Sequence, residues 1–302
     1  MKIYLQADDF GLTKKITDDI LECIDAGTIN SVSVMANGYV FEYAMDEIEK
    51  RENISISLHL NLDQSKSVSE RNLIPLLTND QGLITSSFEK LFFSYYTSFR
   101  RYRSQIKEQV KTEIVSQIEK ILPYLKRKGL PLRIDSERSS HMIPFIFDIL
   151  TELSEQYDIS FIRVISTPNY FYIRDRKDLG SYFGINIVKH ILLNTITALY
   201  GYKSKLKKLK INYTDFTFSL IHSSVAIDQR LIEKYIELSI SRRAQSVQII
   251  FHPFKPSEAE MKLWDIYPTH REFFSRVQAG QEKEYLLKHR VYFKEIIRRF
   301  NV

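Results

Sequence analysis

The chain has 302 residues, of which 44% are hydrophobic and 26% charged, and its formal net charge at pH 7 is +6. These proportions are typical of a globular protein and exclude a disordered or fibrous chain, while the modest positive charge favours no class of partner on its own. The single cysteine, Cys23, excludes an intrachain disulfide and a zinc site built from several cysteines.

Short apolar and β-branched runs alternate with helical stretches along the chain. Seven such runs predict strands at 2–7, 31–36, 54–60, 132–136, 160–165, 216–222 and 246–252. The segments between them carry apolar residues at three- and four-residue spacing, as in ITDDILECIDAG, whose terminal Gly27 suits the end of a helix. This alternation predicts a parallel sheet covered by helices, either a barrel or a doubly wound layer.

Polar residues stand at the carboxyl ends of most predicted strands. In chain order they are Asp8, Asp9, Asn37, His59, Asn61, Asp135, Glu137, Arg163, His222 and His252. Barrel enzymes gather their reacting groups at this rim, whereas polar residues can also stand there only because loops follow strands. We predict an α/β fold, a TIM-like (β/α) barrel of seven parallel strands with helical insertions.

Two insertions, near 86–130 and 166–213, interrupt the alternation. Both join aromatic residues to lysine and arginine, a composition found in helices that lie on membrane surfaces. A helix that faces the core and exposes its basic side is the favoured interpretation of each. The apolar stretch 185–200 is too short to span a membrane. In the absence of repeats, low-complexity tracts or a linker, we predict a single domain over 1–302.

The acidic doublet Asp8–Asp9 follows an apolar run, where adjacent carboxylates repel each other and lose their hydration. One aspartate alone would be explained by a helix cap or a turn. Two in succession, with histidines ending other strands, favour a bound cation or a shared proton. In LHLNL, His59 and Asn61 alternate with leucines, so His59 is expected to point towards the barrel interior or its mouth, where it can bind a metal.

Five motifs, ADDFGLT, SVSVMANG, SLHLNL, RIDSERSSHMIP and FHP, resemble in order and spacing those of the YdjC-like carbohydrate deacetylase family, over 2–256. The resemblance implies a seven-strand barrel and the metal-dependent hydrolysis of an N-acetyl group, a linear amide, on an amino sugar. It also implies a divalent metal ion, magnesium, manganese or zinc, held by Asp9, His59 and a residue of the third motif.

The third motif departs from the family pattern DSHxHxH, because Glu137 and Ser139 stand where the family has histidines and only His141 remains. Glu137 either replaces an imidazole with a carboxylate, which moves the preference towards magnesium or manganese, or pairs with Arg138 or Arg163 in a site without metal.

Two functions follow from these alternatives. In an active N-deacetylase, Asp8 acts as the base, and His252 protonates the leaving amine or holds the carboxylate that does so. Asn61 and Arg163 then contact the substrate, and the metal ligands are Asp9, His59 and either Glu137 or His141. The other function is that of a catalytically silent carbohydrate-binding pseudoenzyme of a polysaccharide or glycolipid pathway.

The expected partner is an N-acetylated saccharide, and the aromatic and basic insertions are compatible with a lipid-linked one and with peripheral membrane contact. The basic run KSKLKKLK is interpreted as a solvated helix face, and no nucleic-acid partner is expected, because no binding module accompanies it. A secretory signal needs an apolar stretch of about 7–15 residues, and the charged Asp8 interrupts the one near the start of this sequence. We therefore predict a cytoplasmic location.

Overall fold

The structure, a computed structural model, describes residues 1–168, 185–218, 227–264, 271 and 278–300. Its ten described strands are β1 (Lys2–Phe10), β2 (Ser31–Val34), β3 (Ser55–Leu60), β4 (Ser65–Lys66), β5 (Leu83–Ile84), β6 (Leu132–Ser136), β7 (Ile159–Ile162), β8 (Asn212–Tyr213), β9 (Phe216–Phe218) and β10 (Ser246–Phe251). Eight of them form one sheet in the order β8-β7-β6-β3-β2-β1-β10-β9, and β4 pairs with β5 separately.

The described helices cover the outside of this sheet. They are α1 (Lys14–Asp25), α2 (Phe41–Glu49), α3 (Phe88–Thr97), α4 (Arg100–Arg127), α5 (Pro144–Tyr157), α6 (Ile185–Leu199), α7 (Tyr202–Lys208), α8 (Gln229–Ser241), α9 (Glu258–Met261), α10 (Gln278–Lys288) and α11 (Arg290–Phe300). Short 3-10 turns occupy Arg71–Leu73, Glu137–Met142 and Lys262–Trp264. None of the helices in the described ranges is both long and apolar enough to cross a membrane.

All neighbouring pairs in the eight-stranded sheet are parallel, and the sheet curls into a TIM-like half-barrel. A hydrogen bond shows that its two edges approach each other. The backbone N–H of Thr217 in β9 donates to the carbonyl of Ser166, which follows β7, at 3.2 Å. The carboxyl ends of the strands therefore meet at one rim, which brings together side chains that are far apart in sequence.

The prediction of seven strands is wrong by one. The additional strand, β8, is only two residues long and pairs with β7 through Asn212 and Tyr213. Two residues are too few to show a period-two alternation, so no pattern marks it. The seven predicted runs all contain strands, although 219–222, including His222, lies outside the described residues.

The strands carry apolar residues towards the helices and polar ones towards the inside of the curl. In β1, Ile3, Leu5 and Ala7 are fully buried on one face. Gln6 and Asp8 belong to the other face, where the Gln6 side chain donates a hydrogen bond to Asp8. The sheet therefore has an apolar outer face, which packs against the helices, and a polar inner face, which extends to the rim.

The first insertion forms α3 and α4. The long helix α4 buries a stripe of apolar residues at three- and four-residue spacing, namely Ile106, Val110, Ile114, Ile118, Ile121 and Leu125. The core-facing interpretation therefore holds for α4. The second insertion contributes α6 and α7, of which Leu193, Ile196 and Leu206 are buried.

Candidate active site

The acidic doublet lies at an irregularity of β1. The register between β1 and β2 shifts between Ala7 and Phe10, and Asp9 has a left-handed backbone with φ of 67°. Adjacent residues of a regular strand point to opposite faces, but a bulge re-aims one of them. As a result both Asp8 and Asp9 are buried at the rim, with exposed fractions of 5% and 2%.

Arg163, which follows β7, neutralises the first of these carboxylates. Its guanidinium donates from Nη1 to Asp8 Oδ2 and from Nη2 to Asp8 Oδ1, both at 3.0 Å, and Nη2 lies 2.8 Å from Asp135 Oδ2. Burial acts to raise the pKa of Asp135, but Arg163 and His59 outweigh it and hold that pKa well below its usual range. One buried cation thus serves two buried carboxylates.

His59 at the end of β3 is held by its Nδ1 atom. That nitrogen lies 2.7 Å from Asp135 Oδ1 and 3.0 Å from Ser33 Oγ. A proton on Nδ1 shared with Asp135 leaves the lone pair of Nε2 available, and a carboxylate partner of this kind fixes the orientation of metal-binding histidines. Asp135 is therefore the residue that aims His59.

The Nε2 atom of His59 faces the remaining two acids, at 3.7 Å from Asp9 Oδ1 and 3.3 Å from Glu137 Oε2. One ligand atom from each of Asp9, His59 and Glu137 lies within 4.8 Å of the others, a spacing that could hold a metal ion. Asp9 Oδ1 is buried and accepts no hydrogen bond, which is costly for a carboxylate oxygen unless a cation lies against it.

Electrostatics also favour a cation at this point. Burial raises the pKa of Asp9 well above its usual value, and the neighbouring Glu137 carboxylate raises it further. Burial alone would lower the pKa of His59, but the surrounding carboxylates, first among them Asp8, raise it well above its usual value. The raised pKa of His59, and the part of the Asp9 shift that Glu137 causes, indicate an excess of negative charge that a divalent ion would relieve.

A second group with metal-like spacing consists of Asp8, His59 and Asp135. Its oxygens already accept hydrogen bonds from Arg163, Gln6 and Ser33, and its imidazole nitrogen is the Nδ1 that faces Asp135. A metal ion here would have to displace the guanidinium. The group of Asp9, His59 and Glu137 fits a metal better, because its Asp9 Oδ1 atom accepts no hydrogen bond.

Glu137 reaches the site through an unusual turn. The turn Glu137–Met142 follows β6 directly, and both Arg138 and Ser139 have left-handed backbone conformations, with φ of 49° and 62°. This geometry turns the Glu137 side chain towards His59 and carries the chain inwards again before α5. The predicted alternative in which Glu137 pairs with Arg163 is wrong, because the Arg163 guanidinium pairs with Asp8 and Asp135 instead.

The structure does not bring His141 together with Asp9 and His59. The His141 Nε2 lies 2.9 Å from the carbonyl oxygen of Arg163, and Nδ1 lies 2.5 Å from Ser136 Oγ, so both ring nitrogens are engaged. Burial lowers the pKa of His141 to about 4, which keeps the ring neutral. In this arrangement His141 holds the backbone that carries Arg163.

Two further predicted residues lie at the rim with protein contacts of their own. Asn61 is buried, and its Oδ1 accepts from the backbone N–H of Asp63 at 2.9 Å. The half-buried His252 follows β10, and its backbone N–H donates to Glu282 Oε2 of α10 at 2.5 Å. Burial lowers the pKa of the His252 ring. The substrate roles of Asn61 and Arg163 and the catalytic role of His252 stay predictions.

Sequence reasoning missed the polar layer beneath the rim. Gln248 in β10 donates to Gln6 Oε1 at 2.5 Å and accepts from Arg163 Nε at 2.8 Å, and Gln6 donates to Asp135 at 2.9 Å. The available signal was the alternation itself, since Gln6, Ser33 and Gln248 each stand between apolar residues of their strands. These residues form the support on which the acids and His59 are held.

Comparison with known proteins agrees with this architecture. The sequence model of a family described as YdjC-like protein matches residues 2–296. A protein of Oceanobacillus iheyensis named carbohydrate deacetylase is 29% identical over 160 residues, which cover 53% of this chain and 63% of that protein, less than two thirds of its length. A protein of the same name from Listeria monocytogenes is 25% identical over 248 residues, covering 78% of this chain and 95% of that one.

The fold has a counterpart among solved structures. A crystal structure from Enterococcus faecalis V583, of a protein described as a candidate cellobiose-phosphate cleavage protein, superposes with a TM-score of 0.57. It is 17% identical, and the match covers 96% of this chain and 94% of that one, so the likeness concerns the fold alone. Since the family model covers nearly the whole chain, this protein belongs to the YdjC-like family.

Proposed function

We propose that this protein is a metal-dependent hydrolase that removes the N-acetyl group from an amino sugar or an N-acetylated saccharide. The observation that carries the proposal is the group of Asp9, His59 and Glu137, in which a buried Asp9 oxygen accepts no hydrogen bond, next to the carboxylate of Asp8. Relatives named carbohydrate deacetylase support the same reaction and a carbohydrate substrate.

Asp9, His59 and Glu137 would hold one divalent ion. When bound, such an ion polarises an acetamide carbonyl and stabilises the negative charge that develops on its oxygen during hydrolysis. A donor set of two carboxylates and one imidazole favours magnesium or manganese, because hard ions prefer oxygen ligands.

The chain's own residues supply the proton transfers. Asp8, which accepts two hydrogen bonds from Arg163, takes the proton of the attacking water at a carboxylate oxygen. Asp135 keeps His59 in place through Nδ1. His252 passes a proton to the leaving amine nitrogen, and its lowered pKa makes the protonated ring a stronger acid than an exposed imidazolium.

A second candidate is a carbohydrate-binding protein without catalytic activity. It is favoured by the engagement of Asp8 with Arg163 and by the additional negative charge of Glu137, which weakens the pull of a metal on its ligands. The buried Asp9 oxygen that accepts no hydrogen bond is evidence against it, because a site that had lost its cation would be expected to satisfy or remove that carboxylate.

Acetate release distinguishes the two candidates. The purified protein is loaded with magnesium, manganese or zinc and incubated with a panel of N-acetylamino sugars. Asp8→Asn should lower turnover by about 100- to 10,000-fold while sugar binding is retained, since the amide keeps the shape of the side chain but cannot act as the base. Asp80→Asn, which changes an exposed aspartate, is the matched control and should leave turnover unchanged. Absence of acetate with every metal, together with activity in Glu137→His, would establish the silent protein instead.

A further inference from the structure

Helix α6 presents an uncharged side to solvent. Val188, Ile191, Leu192 and Leu199 are exposed, Leu199 at 78% and Ile191 at 58%, and their spacing places them on one stripe of the helix. Thr195 and Ala198 complete that side, so no exposed residue in the described part of α6 carries a charge. Surface helices normally show charged residues outwards, so this stripe indicates a surface that meets something other than water.

The opposite side of α6 is already packed on the protein. Leu193 and Ile196 are buried, Asn194 Oδ1 accepts from the backbone N–H of Thr167 at 3.1 Å, and Thr197 Oγ1 donates to the carbonyl of Ile165 at 2.7 Å. These bonds anchor the helix to the segment that follows β7. The exposed stripe is therefore a fixed outer surface, and the core does not need it.

This surface lies beside the candidate active site. Helices α3 and α6 both contact the turn Glu137–Met142. From α6, Lys189 lies within the electrostatic reach of Glu137 at the site and of Glu89 on α3, although burial is the main cause of its lowered pKa. Helix α6 thus carries the apolar stripe on its outward side and contacts the turn beside the candidate active site.

Basic and aromatic residues follow the stripe along the chain. Beyond the end of α6, Tyr200 and Leu209 are exposed, and Lys207, Lys208 and Lys210 are exposed with them. Helix α3 lies near Tyr200, because its Tyr96 interacts electrostatically with Tyr200. After α3 the chain exposes Phe99, at 91%, and then Arg100 and Arg101. Apolar and aromatic side chains bordered by cations are the composition of surfaces that bind anionic bilayers.

We infer that the outward stripe of α6, with Lys207, Lys208 and Lys210, docks on the anionic surface of a lipid bilayer. The cations determine this choice of occupant, because a two-fold contact between copies of the chain would bring two lysine clusters into one interface. A corollary, which rests on the proposed function, is that the saccharide substrate is carried by a lipid, so that docking holds the rim at the height of the sugar.

Vesicle sedimentation tests the docking with the full chain. Vesicles of phosphatidylglycerol and phosphatidylcholine should sediment the protein, and vesicles of phosphatidylcholine alone should do so at least ten-fold less. Ile191→Ser/Leu192→Ser should weaken binding at least ten-fold. Ile240→Ser/Val291→Ser, which removes exposed apolar residues from α8 and α11, is the matched control and should bind like the wild type. Each Lys→Gln change at 207, 208 or 210 should cost about five-fold.

The docking is refuted if the wild type stays in the supernatant with anionic vesicles, or if Ile191→Ser/Leu192→Ser sediments unchanged. A wild-type dimer in analytical ultracentrifugation that this same double variant dissociates would show instead that the stripe joins two copies of the chain. Sedimentation is measured without substrate, so a failure of acetate release would overturn the proposed function and leave the docking result standing.

Discussion

Removal of the Arg163 guanidinium tests the electrostatic core of the site. Arg163→Met keeps most of the side-chain volume and deletes the charge that both Asp8 and Asp135 face. All three groups are almost completely buried, so water cannot replace the lost partner. We expect the variant to be strongly destabilised, even though Arg163 stood among the predicted substrate contacts.

The magnitude follows from the contacts that are lost. Arg163 makes two hydrogen bonds of 3.0 Å to Asp8, lies 2.8 Å from Asp135 Oδ2 and donates to Gln248 at 2.8 Å. Breaking a buried ion pair from one side costs about 3–5 kcal/mol, because the other charge is left uncompensated. Adding Asp8→Asn to the variant should restore part of this loss, since one of the two stranded charges is then gone.

Urea unfolding followed by circular dichroism measures these free energies of unfolding. Arg71→Met is the matched control, because Arg71 pairs with Asp80 at an exposed position and should cost no more than about 1 kcal/mol. If Arg163→Met proved as stable as Arg71→Met, or if Asp8→Asn destabilised the Arg163 variant further, the guanidinium would not be what holds the two carboxylates in place.

Three other properties follow from buried groups. His141 has a folded pKa of about 4 against about 6.5 in the unfolded chain, so the unfolded state binds the extra proton and stability should fall by about 3 kcal/mol from pH 6.5 to 4. Urea midpoints across that range should show a smaller slope for His141→Gln, and an equal slope would disprove the assignment. Asp135→Asn should lower metal affinity about 10- to 100-fold in equilibrium dialysis, and unchanged affinity in the folded variant would contradict its role in aiming His59. Burial raises the pKa of Cys23 to about 12, so a thiol reagent should modify it only as fast as the protein unfolds, and fast labelling of the native protein would refute this.

Much of the framework could be predicted from the sequence, because strands and amphipathic helices leave periodic patterns. The seven predicted runs all contain strands, and 132–136 coincides with β6. The strand β8 escaped because two residues carry no period. The outward stripe of α6 escaped for a different reason: a helix that is apolar on several sides does not reveal from its sequence which side the protein covers.

The sequence predicted part of the membership of the candidate site but not its connections. The rim rule brings Asp8, Asp9, His59 and Glu137 together, as the structure shows. The rule does not say which acid receives a guanidinium and which keeps an open oxygen. That division depends on the register shift after Ala7, which brings two adjacent side chains into the same pocket, where they meet different partners.

His141 illustrates the same limit. A histidine close behind a strand end is compatible with a metal ligand, yet the left-handed residues Arg138 and Ser139 carry the chain so that the ring contacts the carbonyl of Arg163. Backbone conformations of this kind are rare for residues other than glycine, so no sequence pattern announces them. Asp135 was visible at its strand end, but only the 2.7 Å contact with His59 shows what it does.

The most direct test of the account is the metal content of the purified protein. After dialysis against a divalent metal, elemental analysis should give one tightly bound ion per chain for the wild type and for Asp80→Asn. It should give none for Asp9→Ala or His59→Ala at the same metal concentration. A wild type that binds no ion, or an Asp9→Ala variant that binds it as tightly, would show that no cation neutralises the acids at this rim.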